Sequence, residues 1–165
     1  MKKFIVLGNM NAITYKEIFP LIKENKLWLG QNAKGGSRKG NSLSFITNSG
    51  ETKDVSSWWF TNLSNERRNT LLDLYKHYSN EYKHYDNYDA IEVGKSCDVP
   101  MDYDGVIGVP ISFLMFHCPE QFEILGITEN ADYLKPLHIE NCEKYDRPYL
   151  DGKRMYSRLL IRHRK

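Results

Sequence analysis

A chain of 165 residues with 27% charged and 41% hydrophobic side chains is ordinary for one folded domain with a real core. No apolar run is long enough to span a bilayer, and Phe4–Leu7 after Met1-Lys2-Lys3 is too short for a signal peptide. Three cysteines (Cys97, Cys118, Cys142) with no Cys-x-x-Cys argue against a disulfide framework or zinc site and point to reduced thiols in the cytoplasm. The net charge of +2 conceals segregation. Residues 1–83 carry 13 Lys/Arg against 7 Asp/Glu, residues 84–132 carry 1 against 10, and residues 133–165 carry 9 against 4. Such a chain can gather its basic ends on one face for a polyanion, or pair them with the acidic middle.

Phe4–Leu7, closed by Gly8, reads as a buried strand of the parallel type. Thr14-x-x-Glu17 has the form of a capping box, and the helix it starts is expected to run to about Glu24 with a kink at Pro20. Leu27–Gly30 is the next strand. Strand, helix and strand at this pitch predict a βαβ unit and a mostly parallel sheet. A Gly/Lys/Ser-rich loop over Gln31–Asn41 follows. Then comes a hairpin, with Ser42–Thr47 turning at Asn48-Ser49-Gly50 and returning over Val55–Thr61. Ser64 is placed to cap a helix over Asn65–Tyr78 with Leu71, Leu72, Leu74, Tyr75 and Tyr78 inward. Tyr78–Tyr88 is irregular, and Ala90–Val93 is a short strand. Gly105–Cys118 is the longest run almost without charge. It predicts a strand pair or a long bent strand, with Gly108 and Pro110 marking a bulge or bend. From Arg154 to Arg164 period-two alternation predicts a strand with Met155, Ser157, Leu159 and Ile161 on one face and a row of arginines on the other.

The wording of the central stretch goes further than its periodicity. Asp102-Tyr-Asp-Gly-Val-Ile-Gly-Val-Pro-Ile-Ser-Phe-Leu114, followed by Pro119-Glu-Gln-Phe-Glu-Ile-Leu-Gly126, resembles the carboxyl-terminal part of the EcoRI-type adenine-specific DNA methyltransferases. Phe4–Thr14, Trp59–Leu63, Tyr85–Val93 and Gly152–Arg162 agree with it, so the resemblance covers nearly the whole chain. It implies an α/β fold: the C-terminal part of a Rossmann-like methyltransferase sheet, a parallel βαβ plus a hairpin, with a mixed β extension. Residues 1–165 are then a single domain. Residues 1–63 are the remnant of the methyltransferase sheet, and residues 64–165 are a helix and a β-rich, DNA-facing extension.

The family transfers a methyl group from S-adenosylmethionine to the exocyclic nitrogen of adenine in duplex DNA. It does so with a Gly-rich strand-to-helix turn for the cofactor and an Asn/Asp-Pro-Pro-aromatic segment for the adenine. The chain contains no Gly-x-Gly-x-x-Gly and no Pro-Pro. In the family both devices precede the strand corresponding to Phe4–Gly8. The resemblance therefore implies no catalytic residue in this chain and no cofactor bound by it alone. It implies duplex DNA as substrate, with a separate chain supplying the first half of the enzyme, or self-association. A non-catalytic DNA-binding or protein-interaction module is the alternative.

Several groups are candidates for a site. Gly8-Asn9-Met10-Asn11 lies where open α/β sheets hold ligands, beyond the carboxyl end of a strand, so Asn9 and Asn11 can reach a base or equally belong to an ordinary turn. Trp58, Trp59 and Phe60 offer rings on which an extruded adenine could stack, or core packing. Lys34, Arg38 and Lys39 in the glycine-rich loop, and Arg154, Arg158 and Arg162 in the last strand, suit a DNA backbone. The arginines equally suit the acidic middle of the chain. Asp98, Asp102 and Asp104 share a turn signal and, with the five unspaced histidines, are not expected to hold a metal.

Overall fold

The computed structural model describes residues 2–30, 43–55, 57–128 and 147–165. Lys34, Arg38, Lys39 and Cys142 lie outside them. The protein is a mixed α/β chain that divides into two compact units, Met1–Arg67 and Arg68–Lys165.

In the first unit, β1 (Ile5–Asn9) leads through a 3-10 turn (Met10–Thr14) and α1 (Phe19–Lys23) to β2 (Trp28–Leu29). After β3 (Leu43–Ile46) and β4 (Thr52–Val55) comes β5 (Ser57–Thr61). The sheet order is β1-β5-β2, and β5 is antiparallel to both neighbours. β1 and β2 are therefore parallel to each other, as a βαβ connection requires, but β5 lies between them. Every pairing in this sheet is antiparallel, which corrects the expectation of a mostly parallel one. The predicted hairpin divides as well. β3 pairs with β4 across a turn at Gly50 (φ 81°), and β5 leaves for the other sheet.

The predicted capping box does not form. Asn9 caps the 3-10 turn by accepting from the Asn11 amide at 2.8 Å, and Thr14 donates to the Asn11 carbonyl. α1 begins at Phe19 with no side-chain cap, and Pro20 sits in its first turn, where a missing N–H is harmless and no kink is needed. Asn25, left-handed at φ 56°, closes the segment. Ile13, Phe19, Ile22, Leu27, Leu29, Trp58 and Phe60 form this unit's buried apolar set.

In the second unit, β6 (Ile91–Glu92), β7 (Ile107–Pro110), β8 (Phe122–Ile127) and β11 (Arg158–His163) make a mixed sheet in the order β6-β7-β11-β8. Only β6 and β7 are parallel. β9 (Tyr149–Leu150) and β10 (Lys153–Arg154) form a hairpin closed by Asp151 (φ 51°) and Gly152 (φ 72°). Two positive φ values in a two-residue loop are what a type I′ turn demands, and Asp-Gly supplies them.

The apolar run after Gly105 is a strand pair, but β11 separates β7 from β8, and Ile111–Met115 between them is a 3-10 turn. The register shift falls where β8 meets β11, with Leu125 of β8 as the extra residue opposite Leu160 and Ile161, and the pairing at Gly108 is regular. Gly108 has a different task. A Cβ there would come 2.3 Å from the Tyr85 hydroxyl, so the ring of Tyr85 lies directly on the strand. Arg154 and Arg158 do not share a strand, and in β11 Arg158, Leu159, Leu160 and Ile161 are all buried, with Leu160 packed against Tyr85, Tyr88, Ala90 and Val106 and Arg158 against Glu92. The expected two-faced strand is a central one.

The helix expected over 65–78 is absent. Only Arg67–Asn69 turns, in a 3-10 conformation, and the segment then runs extended. Along it Leu72, Leu74 and Lys76 are half-buried, whereas Leu71, Asp73, Tyr75 and His77 are exposed, a period of two. The Gln121 side chain holds this strap by accepting the Leu72 N–H at 2.7 Å and donating to the Leu72 carbonyl at 2.9 Å.

Candidate functional site

The carboxyl end of β1 carries the sequence candidates of the first unit. In register with β5, Asn9 stands opposite Ser57, Gly8 opposite Trp58, Leu7 opposite Trp59 and Val6 opposite Phe60. Strand alternation puts Ile5, Leu7, Asn9, Ser57, Trp59 and Thr61 on one face of the sheet. Val6, Gly8, Trp58 and Phe60 point to the other. The three aromatics are therefore not equivalent. Phe60 is buried, with its ring 3.1 Å from where a Gly8 Cβ would be. Trp58 is buried too, and its indole N–H donates to the Gly30 carbonyl at 3.3 Å. Trp59 remains 37% exposed.

Trp59 forms a wall of a cavity of about 390 Å³, with Ile5, Gly30, Thr61, Leu63, Ser64 and Asn65. A Cβ at Gly30 would lie 3.0 Å from the Trp59 Cβ, so the glycine lets the chain pass beside the indole. Thr61 is fixed beneath, donating to the Phe4 carbonyl at 2.7 Å and accepting the Leu63 N–H at 3.0 Å. The result is a concave apolar surface with polar groups at one end. The Asn9 side chain is engaged by its own turn, through the Asn11 amide.

In the second unit the arginines meet carboxylates. Arg158 grips Glu92 with a fork, Nε to Oε2 at 2.9 Å and Nη2 to Oε1 at 2.7 Å. Both side chains are about nine-tenths buried. The Tyr85 hydroxyl donates to the same carboxylate. Burial, then the neighbouring Glu92 charge, pushes the Tyr85 phenol far up, so it stays protonated. Arg162 pairs with Glu123 at 2.5 Å near the surface. Arg154 is exposed on β10.

Asp98 accepts from Lys76 at 2.8 Å, and that hydrogen bond holds its carboxyl below the usual range. Asp102 accepts the Tyr78 amide at 2.7 Å and contacts His77 Nδ1 at 2.8 Å, which lower it likewise. Basic and acidic segments of the sequence thus pair within this unit. Among the described residues, no group of three His, Cys, Asp or Glu side chains could hold a metal ion. No helix among them is long and apolar enough to cross a membrane.

Sequence reasoning allowed the arginines to meet the acidic middle of the chain but did not single out which residues do so. The Tyr85–Glu92–Arg158 cluster joins residues 66 apart along the chain, and nothing local marks it. The cavity beside Trp59 was partly signalled, since alternation alone sets Trp59 against its neighbours.

The family described as adenine-specific methyltransferase EcoRI matches residues 1–164. The chain belongs to that family. Its EcoRI-type relatives include the Type II methyltransferase M.EcoRI of Escherichia coli, 39% identical over 178 residues, which span 99% of this chain and 51% of the relative. M.MgeORF184P of Mycoplasma genitalium is 36% identical over 98% of this chain and 57% of its own length. M.MpnI of Mycoplasma pneumoniae is 33% identical over 99% of this chain and 57% of its own. The chain therefore spans about half the length of these curated methyltransferases. No solved structure matches it.

Proposed function

We propose that this chain forms part of an S-adenosylmethionine-dependent methyltransferase that modifies the N6 amino group of adenine in duplex DNA, within a cytoplasmic restriction–modification system. The observation that carries the reading is the family match across residues 1–164, with Type II methyltransferases as relatives over nearly the whole chain. On this reading the first unit is the closing part of a Rossmann-like sheet, and the end of β1 borders the place where adenine is held. Chemistry on a base requires its removal from the stack and a surface to hold it. Trp58 and Phe60 are packed in the buried set and Trp59 opens on the apolar cavity near Ile5 and Thr61, so the groups of this chain nearest that place are Asn9 and Asn11, at the other end of the strand pair. Arg154, with Lys34, Arg38 and Lys39, supplies backbone contacts to the duplex.

The chain has neither the Gly-rich turn nor the Pro-Pro segment. Methyl transfer therefore needs the half of the enzyme that this sequence does not contain, on the same polypeptide or on another. A stand-alone DNA-binding module is supported less well, because Arg158, central to the arginine row it requires, is buried against Glu92. Isothermal titration of the isolated chain with S-adenosylmethionine is expected to show no tight binding, and tritiated methyl transfer to adenine-containing duplex is expected to be nil. Activity from this chain alone would contradict the division of labour.

A further inference from the structure

β1 has the composition of a strand from the middle of a sheet and the position of a strand at its edge. Ile5, Val6 and Leu7 are consecutive, so they point to both faces, and they are 58%, 53% and 44% exposed. A continuous apolar run is what a strand covered on both faces carries. Among the described residues nothing pairs with β1 on the side away from β5. None of the usual guards is present either: the strand has no proline, no bulge and no charge from Ile5 to Asn9. Beside it, on the face away from the buried set of Trp58 and Phe60, lies the apolar cavity walled by Ile5 and Trp59.

We propose that this edge and this face form one docking surface for the other half of the methyltransferase: a strand of that half extends the sheet along β1, and an apolar element packs over Leu7 and Trp59 into the cavity. The inference rests on the functional reading above and adds to it which residues make the joint. A second copy of this chain is the weaker occupant. Two β1 strands meeting about a two-fold axis perpendicular to the sheet would satisfy both edges, yet they would leave both Trp59 faces on the same side and uncovered. An occupant that fills edge and face together must bring a strand and a covering layer. The relatives have the length for it, since this chain accounts for only 51–57% of each.

The test is to co-express this chain with a polypeptide made from the part of the Escherichia coli relative that it does not match. Assembly is measured by size exclusion with light scattering, and affinity by titration calorimetry. A one-to-one complex is expected. Ile5→Lys with Leu7→Lys, and separately Trp59→Glu, are expected to weaken it by about tenfold or more, as truncation of central interface anchors does. Leu71→Lys, at an equally exposed leucine of the second unit, should not. Circular dichroism of the free variants checks that they fold. No complex with the parent chain, or unchanged affinity of folded Ile5, Leu7 and Trp59 variants, would overturn the proposal. So would a parent homodimer that Leu7→Lys dissolves, which assigns the surface to a second copy. A complex that depends on these residues but transfers no methyl group upholds the docking surface while refuting the functional reading.

Discussion

His117 shows how far burial alone can set a residue's chemistry. Its Nε2–H donates to the Phe122 carbonyl at 3.0 Å, and the ring is packed near Phe113. Burial lowers its pKa to about 4, against the opposing pull of that hydrogen bond, with Arg68 and Arg164 adding to the lowering. An unfolded chain takes up this proton near pH 6.5, so between pH 6.5 and 4 the unfolded state binds more protons than the folded one. Stability from this group is full above that window and falls as pH drops through it. Urea midpoints should show a loss of about 2 kcal/mol between pH 7 and pH 5, which His117→Gln should largely abolish. Gly108 makes a steric prediction. Because Tyr85 is buried and bonded to Glu92, it cannot yield to a new methyl group, and Gly108→Ala should cost about 1–3 kcal/mol by urea denaturation. In a double-mutant cycle with Tyr85→Ala most of that penalty should disappear.

At the scale of elements, β11 separates two arginines that look alike in the sequence. Arg158→Met strands the Glu92 carboxylate in a buried site and should destabilise by about 3–5 kcal/mol. Arg162→Met breaks a pair whose arginine is 47% exposed and should cost less than about 1 kcal/mol. Equal losses in denaturant titration would mean that the burial difference has no energetic weight. The alternation of Met155, Ser157, Leu159 and Ile161 suggested a strand with one wet face. Leu160 breaks that pattern because its face is covered as well, by Tyr85, Tyr88, Ala90 and Val106, while Leu159 and Ile161 are buried on the other. The strap over 70–78 was misread for a related reason. Its leucines and tyrosines fit a helical period and an extended one alike, and the deciding groups, the Gln121 amide and the Pro100 backbone, lie far away in sequence. The short strands over Leu27–Gly30 and Ala90–Val93, by contrast, were legible because turn residues bound each on both sides.

For the whole molecule, the family was legible in the sequence, through an unusual ordered phrase spread over the chain. The arrangement of the candidate site was legible only in part. Which of three adjacent aromatics faces outward depends on strand alternation together with knowing which face is packed, and the packed face is decided by Ile13, Phe19 and Ile22, dozens of residues earlier. The resemblance divides one domain into residues 1–63 and 64–165, and the contacts divide the chain between Arg67 and Arg68.

That division has a spectroscopic consequence. All three tryptophans, Trp28, Trp58 and Trp59, fall in the first unit, while every tyrosine except Tyr15 falls in the second. Indole emission therefore reports one half of the molecule and the near-ultraviolet tyrosine bands mostly the other. In a urea titration of Arg158→Met the tyrosine signal should move to lower denaturant while the emission midpoint stays where it is in the parent. Coincident shifts would show that the two units unfold as one. The same partition gives Trp59 a private channel: when its open face is covered, its emission should shift to shorter wavelength with no change in the tyrosine bands.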